Sequence, residues 1–540
     1  MHLGQTFLAA LRRPTLLATL LILASTTAAQ QPLLAPVASP PAAVLAWDAA
    51  ERARNPMILR STAVQVDAAA LAAVRVGGPP PLATFAIDHF GTSTTVDVTG
   101  CEWSAGHRVL RGAVAGGGGD FVLVVAPDGT CSGQLDFGGR AFGIAPTPVA
   151  GVHVLQELDL TLLPAPESCG VDAAHAVAAP GGAGLPEAPN SDCSLLTIDL
   201  MVCYTPLARQ NAGGTAAIEA VLVGAVAQAN TGHRASGAPV EFRLVHLHET
   251  SYVETGTSTD LSRFRGTSDG YMDEVHALRD AYGADLMHLV IDPPSASFCG
   301  IAYLKTTLST GFASSAFAVT VRSCIPNHTF THECGHNMGC HHDAANAGAA
   351  IYPYSYGYRT PDNAWRTIMA YAPGTRVNRW SSPSVVWQGY AMGIDNAADN
   401  VRSIGDTAAT VAQFRATQTL RWCDLDGGIP GALGEPVLEG RGTVNQIVPV
   451  ELRIRDYAPG AVGVLIVGAA ELAAPMFGGI LMPAPDVLLT IVPTGPEFVH
   501  GAAWLLNLGP GFQAWFQAAF LDAAAIEGLS ASDGVRVTVP

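Results

Sequence analysis

His332, Glu333, His336, Gly339 and His342 stand in the order H-E-x-x-H-x-x-G-x-x-H, and no other feature of the chain restricts its fold so tightly. Residues four apart share one face of a helix, so the spacing predicts a helix over residues 328–338 on which His332 and His336 point their imidazoles at one place. Glu333 then lies beside that place without joining it, in position to take a proton from water. Gly339 lets the chain leave the helix through the left-handed region and turn back to bring His342 in as a third nitrogen donor. Three histidines leave the fourth tetrahedral position of a Zn²⁺ ion open, which is the pattern of a catalytic rather than a structural zinc site. Five such positions coincide by chance with a probability well under ~1 in 10⁶ per starting point. His341 adjoins the residue with the fitting spacing and is read as a bystander.

The motif resembles that of the metzincin metallopeptidases. A second mark of that clan follows downstream in Thr367-Ile368-Met369-Ala370-Tyr371, similar to the Met-turn, whose methionine forms an apolar floor under the imidazoles. Asp343, directly after the third histidine, is similar to the aspartate that marks the reprolysin or adamalysin branch, where it has a structural role. Tyr371 fits the astacin and serralysin pattern, in which a tyrosine reaches the metal or the reacting oxyanion. The resemblance implies an α/β metzincin catalytic domain, a mostly parallel twisted sheet with helices. It also implies zinc metalloendopeptidase activity on protein or peptide substrates.

The N-terminus bears on where such an enzyme works. Arg12 and Arg13 precede an apolar run over residues 16–24, and Thr27-Ala28-Ala29 supplies small residues for cleavage. This reads as a secretory signal peptide over residues 1–29, with an apolar stretch too short to span a membrane. No later segment reads as a transmembrane helix, so a secreted, extracellular protein without an integral membrane anchor is expected. The net charge of −17 argues against nucleic-acid binding and against docking on an anionic membrane.

All ten cysteines follow the signal segment, in a compartment where disulfides persist. Cys101 with Cys131 and Cys299 with Cys324 are the expected pairs, each flanking a β-like stretch. Cys169 differs, because Pro166-Glu167-Ser168-Cys169-Gly170-Val171 resembles the cysteine switch of metzincin zymogens, in which a propeptide thiolate takes the open zinc position. The alternative is half of an ordinary disulfide.

At 540 residues, with 57 glycines and 37 prolines, the chain is too long for one core and rich in turns. Residues 30–190 read as a β-rich propeptide carrying the switch, with strands near 85–88, 95–98 and 121–125 and a glycine turn at 116–119. The Gly/Ala/Pro-rich stretch 173–189 is the expected maturation site. Residues 191–423 read as the zinc peptidase domain. Strands are expected near 198–204, 240–247 and 286–291, a helix N-capped by Thr215, and a second helix over 271–282 stopped by Gly283. In the metzincin order, residues 300–304 form an edge strand that pairs with substrate, and residues 376–383 form a wall of the pocket after the cut bond. Residues 424–540 read as a C-terminal β-sandwich, a candidate module for binding a surface or substrate, in which Asp424 and Asp426 give a weak hint of calcium. Two rival readings remain: the H-E-x-x-H enzymes that use a downstream glutamate, and a secreted adhesin or toxin-like protein with a vestigial site. His342 and the intact Glu333 oppose both.

Overall fold

The computed structural model describes residues 31–74, 80–163 and 195–540. The signal segment, Cys169 with its motif, and the expected maturation stretch lie outside the described residues. Three bodies of structure follow one another along the chain, built around sheets of ten, five and six strands.

The first sheet runs, in spatial order, through Gln31–Pro32, Ala83–His89, Thr92–Ser104, His107–Val114, Gly119–Val125, Cys131–Phe137, Arg140–Pro146, His153–Leu158, Ile58–Val66 and Leu34–Pro36. Its middle is an antiparallel meander, turned at Gly116, Gly117 and Gly118, which all have positive φ and so use the freedom that glycine alone has. Alternate side chains point to opposite faces. Leu110, Phe121 and Leu123 fill the sheet's own core, whereas Val109, Val122 and Val124 pack into the core of the next domain. The unbroken apolar run Phe121–Val125 is explained by burial on both faces.

Cys101 and Cys131 are separate thiols, against the expected pairing. Their strands are separated in the sheet by the strands His107–Val114 and Gly119–Val125. Three inter-strand steps of ~4.8 Å put them far outside the ~7 Å reach of a disulfide. Instead Arg108 donates to the Cys101 sulfur.

The second domain has strands β1 (Leu196–Tyr204), β2 (Val240–Glu249), β3 (Leu286–Ile291), β4 (Gly300–Ala302) and β5 (Phe317–Val321). Their order is β2-β1-β3-β5-β4, all parallel except β4, which runs antiparallel to β5 at one edge of the sheet. Helices α1 (Thr215–Ser236), α2 (Glu274–Tyr282), α3 (Thr329–Asn337) and α4 (Asn400–Val411) cover it. β3 is buried along its whole length, and each large aliphatic side chain contributes ~1.5–3 kcal/mol by leaving water. Helix α1 begins at Thr215, but Gly214 is its N-cap and no side chain caps it. Thr215 is one position too late, since a capping residue must keep extended backbone. α2 ends at Gly283, with φ +68°, the left-handed termination expected for it. Cys299 and Cys324 are joined, tying the start of β4 to the turn before α3.

The N-terminal sheet is clamped onto this domain by charge as well as apolar packing. Arg322 pairs with Glu51 of the helix Ala42–Arg54 and with Asp292, both at 2.8 Å and all buried. Arg379 pairs with Asp120 at 2.6 Å, and Gln134 donates to the Pro326 carbonyl at 2.9 Å. Burial alone would raise the Glu51 carboxyl, but the Arg322 and Arg54 guanidiniums outweigh it and hold it below the usual carboxylate range.

Arg421–Asp424 already belongs to the third body, pairing with Val535–Thr538. The remaining strands of its larger sheet include Gln513–Leu521, Gly463–Gly468 and Val487–Ile491, and a smaller sheet is made of Val437–Arg441, Glu451–Arg455 and Glu497–Gly501. Leu452 and Ile454 of the small sheet share a core with Leu465, Phe516 and Val537 of the large one. Contact with the second domain includes Arg243 to the Leu420 carbonyl at 3.3 Å, Arg421 to the Leu195 carbonyl at 3.0 Å, and Asn445 to the Ala281 carbonyl at 2.5 Å. Cys423 is disulfide-bonded. Among the described residues no single helix is long and apolar enough to cross a membrane.

Candidate active site and metal centre

Helix α3 carries His332, Glu333 and His336, all buried. It stops at Asn337, and Gly339, with φ +90°, reverses the chain so that His342 arrives on the short strand His341–Asp343. The Nε2 atoms of His332 and His342 each lie 3.1 Å from Nε2 of His336. Nitrogens bound tetrahedrally to one zinc at 2.0–2.1 Å stand ~3.3 Å apart, so the spacing fits that ion.

The rings are aimed from behind. Nδ1 of His332 donates to the Ile368 carbonyl and Nδ1 of His336 to the Cys340 carbonyl, both at 2.9 Å. The Asn346 backbone holds His342. Placing the proton on Nδ1 leaves the Nε2 lone pairs on the common side, which is what ligation requires. Burial, then neighbouring imidazoles and, for His332 and His342, Arg376, depresses all three, His342 to about 3, so the rings are neutral donors at physiological pH.

Met369 is fully buried under α3. A Cβ on Gly335 would lie 2.8 Å from its sulfur and 2.9 Å from the Trp380 ring, so the helix approaches its floor only because residue 335 has no side chain. The Tyr371 ring lies with its centroid 4.1 Å from that of His342 and 6.3 Å from that of His332. Asp343 accepts from the Tyr371 N–H at 3.1 Å and from the Asn346 side chain, and pairs with Arg359 at 2.9 Å. It therefore fastens the strand of the third histidine to the Met369 turn. His341 faces away from the cluster, its ring nitrogens 2.9 and 3.2 Å from the backbone N–H groups of His342 and Gly348.

Several parts of the site were not legible in the motif. A Cβ on Gly300 would lie 2.4 Å from Oε1 of Glu333, so the edge strand β4 gives up a side chain to admit the carboxylate. The carbonyls that aim His332 and His336 are backbone groups with no signature in residue type. Arg376 and Arg366 are both buried near the cluster; Arg376 donates to the Asn327 and Ala370 carbonyls and Arg366 to the Gly374 and Ala370 carbonyls. Arg376 falls in the segment expected to form the pocket wall, but its charge beside the histidines shows only in three dimensions.

Residues 194–381 match the model of metallopeptidase family M12, the reprolysin group. A peptidyl-Asp metalloendopeptidase of Stenotrophomonas maltophilia (strain R551-3) is 34% identical over 307 residues, covering 55% of this chain and 71% of that protein. The chain belongs to metallopeptidase family M12. A second peptidyl-Asp metalloendopeptidase, from Xanthomonas campestris pv. campestris, is 34% identical over 299 residues, covering 54% of this chain and 69% of its own. One from Pseudomonas fragi is 31% identical over 193 residues, covering 35% of this chain and all of its own. This M12 chain is a metalloendopeptidase, and its family implies a catalytic metal.

Proposed function

We propose that the chain is a secreted zinc endopeptidase, made as a latent precursor, that cuts proteins beside acidic side chains. The observation that carries the reading is the convergence of three backbone-anchored imidazoles, with Nε2 of His332 and of His342 each 3.1 Å from Nε2 of His336, beside Glu333 on the zinc helix. His332, His336 and His342 hold the ion. Zinc bound there supplies a Lewis acid that polarises a carbonyl and makes water acidic near neutral pH. Glu333 takes the proton of the attacking water on its carboxylate and hands it to the leaving amine. Tyr371, over His342, donates its hydroxyl toward the oxyanion. The free edge of β4 offers backbone groups to an extended substrate, which lies antiparallel to it as a further strand.

An acidic preference is supported by the names of the relatives and by Arg376 and Arg366, whose charges His332 feels. A carboxylate side chain entering past the Met369 turn meets that positive field. Export rests on the N-terminal segment, and latency on the Cys169 motif together with a β-rich N-terminal domain clamped at Arg322 and Arg379, on either side of the zinc helix in sequence. The C-terminal domain brings no histidine to the site, which fits a binding module that raises local substrate concentration.

Glu333→Gln tests the core of this reading. The variant should keep one zinc per chain and lose ~10²–10⁴-fold in peptide hydrolysis, whereas full activity would remove the mechanism. Cys169→Ala should make the unprocessed chain active. Arg376→Met should lower kcat/KM for an Asp-containing peptide at least ~10-fold more than for a Leu-containing one.

A further inference from the structure

A second group of donors lies in the C-terminal domain, far along the chain from the histidines. Asp424 ends the first strand of that domain, Asp426 follows in the turn with φ +59°, and Asp533 precedes the last strand. One carboxylate oxygen from each falls within 4.8 Å of the others, and two oxygens across one calcium stand up to ~4.6–5.2 Å apart. Backbone bonds hold the group together: Asp426 N–H to Asp424 at 3.2 Å, Gly428 N–H to Asp533 at 2.9 Å, and Leu425 N–H to the Gly534 carbonyl at 2.8 Å.

Glu435 supplies the independent observation. Its side chain comes from a separate loop, is only 8% exposed, and its carboxylate meets that of Asp533. Its hydrogen-bond partner is the Asp533 carboxylate, and among the described residues no arginine or lysine forms a salt bridge with any of the four acids. Two facing carboxylates need either a shared proton or a shared cation. Gly428 allows the approach, since a Cβ there would collide with the Glu435 carboxylate.

We infer that Asp424, Asp426, Glu435 and Asp533 form a calcium site that fastens the entry of the C-terminal domain to its last strand. The donors are all hard oxygens from irregular loops, three of them at the surface where water completes the shell; calcium accepts such a set, while zinc prefers nitrogen and sulfur and magnesium demands a near-ideal octahedron. The site is independent of the histidine cluster, so its failure leaves the peptidase reading untouched.

The test is a titration of CaCl₂ into the full chain in calcium-free, zinc-containing buffer at pH 8, followed by calorimetry and thermal unfolding. One calcium per chain and a rise of ~5 °C or more in the unfolding of the C-terminal domain are expected. Asp426→Asn and Glu435→Gln should each lose most of the shift while cleaving a short peptide at the wild-type rate. Asp426→Asn is the safer variant, because its carboxylate accepts no hydrogen bond and asparagine tolerates the same backbone. Absence of binding at millimolar calcium in the wild type, as a shared proton would give, overturns the inference. An undiminished shift in folded Asp426→Asn and Glu435→Gln overturns it as well.

Discussion

The histidine cluster and the acidic cluster gather ligands in opposite ways. Three neutral nitrogens converge on one point within eleven residues of chain, each ring fixed by a backbone group behind it. The four carboxylates come from three loops spread over residues 424–533 and repel one another. The nitrogen cluster can be assembled without metal because neutral donors cost little to bring together. The oxygen cluster is held against its own charge by the fold around it, which makes it dependent on a cation or on protons.

The same contrast decides what the sequence reveals. Helical periodicity turns His332, His336 and a glycine three residues later into geometry, because local spacing fixes relative direction on a helix. Glu435 and Asp533 are 98 residues apart in number and meet only through pairing of the first and last strands of the domain, which no local pattern announces. Gly300 was unreadable for the same reason: its need to be small comes from Glu333 across the sheet edge. In the N-terminal domain, the run at 121–125 was plain, while His107–Val114 and Cys131–Phe137 were missed, since glycine and charged residues interrupt their alternation. The expected Cys101–Cys131 bridge failed because flanking a β-like stretch says nothing about how many strands intervene. The helix Ala42–Arg54 buries only Val44, Trp47 and Glu51, too thin an apolar stripe to stand out.

The contrast can be broken by swapping consequences. His336→Ala should drop peptide hydrolysis below about one-thousandth of wild type and release the catalytic metal, because two nitrogens do not hold the ion. Asp426→Asn should leave the rate within about twofold, since the acids belong to another domain. Metal content and turnover of both proteins, measured side by side, decide it; a large loss in Asp426→Asn would mean that the two sites are one system.

Gly300→Ala comes next in size. The added methyl meets the Glu333 carboxylate at 2.4 Å, so kcat should fall ~10–100-fold while zinc is retained. Wild-type kcat in that variant would show that Glu333 is free to act from another position. Asp343→Asn should weaken the bond to Arg359 and loosen the tie between His342 and the Met369 turn. An expected ~10-fold loss of zinc affinity, read by competition with a chelator, checks it.

The smallest effect is a dependence on pH. Glu435 and Asp424 have raised carboxyl values in the fold, about 9 and about 7. In calcium-free buffer, the stability they contribute is therefore fully present below the ordinary carboxylate range and is lost as pH rises through 7 toward 9. Calcium competes with those protons, so its stabilisation of the C-terminal domain should be larger at pH 8 than at pH 5. Thermal unfolding at both pH values, with and without calcium, measures this; an equal or reversed calcium effect contradicts the assignment of those acids.

In the proposed enzyme one zinc sits between the three imidazole nitrogens, and anomalous diffraction at the zinc edge from crystals of the active enzyme tests this directly. One strong peak is expected at bonding distance from Nε2 of His332, His336 and His342, with Glu333 beside it and not ligating. A fully active enzyme with no peak there, or with its only zinc elsewhere, would contradict it.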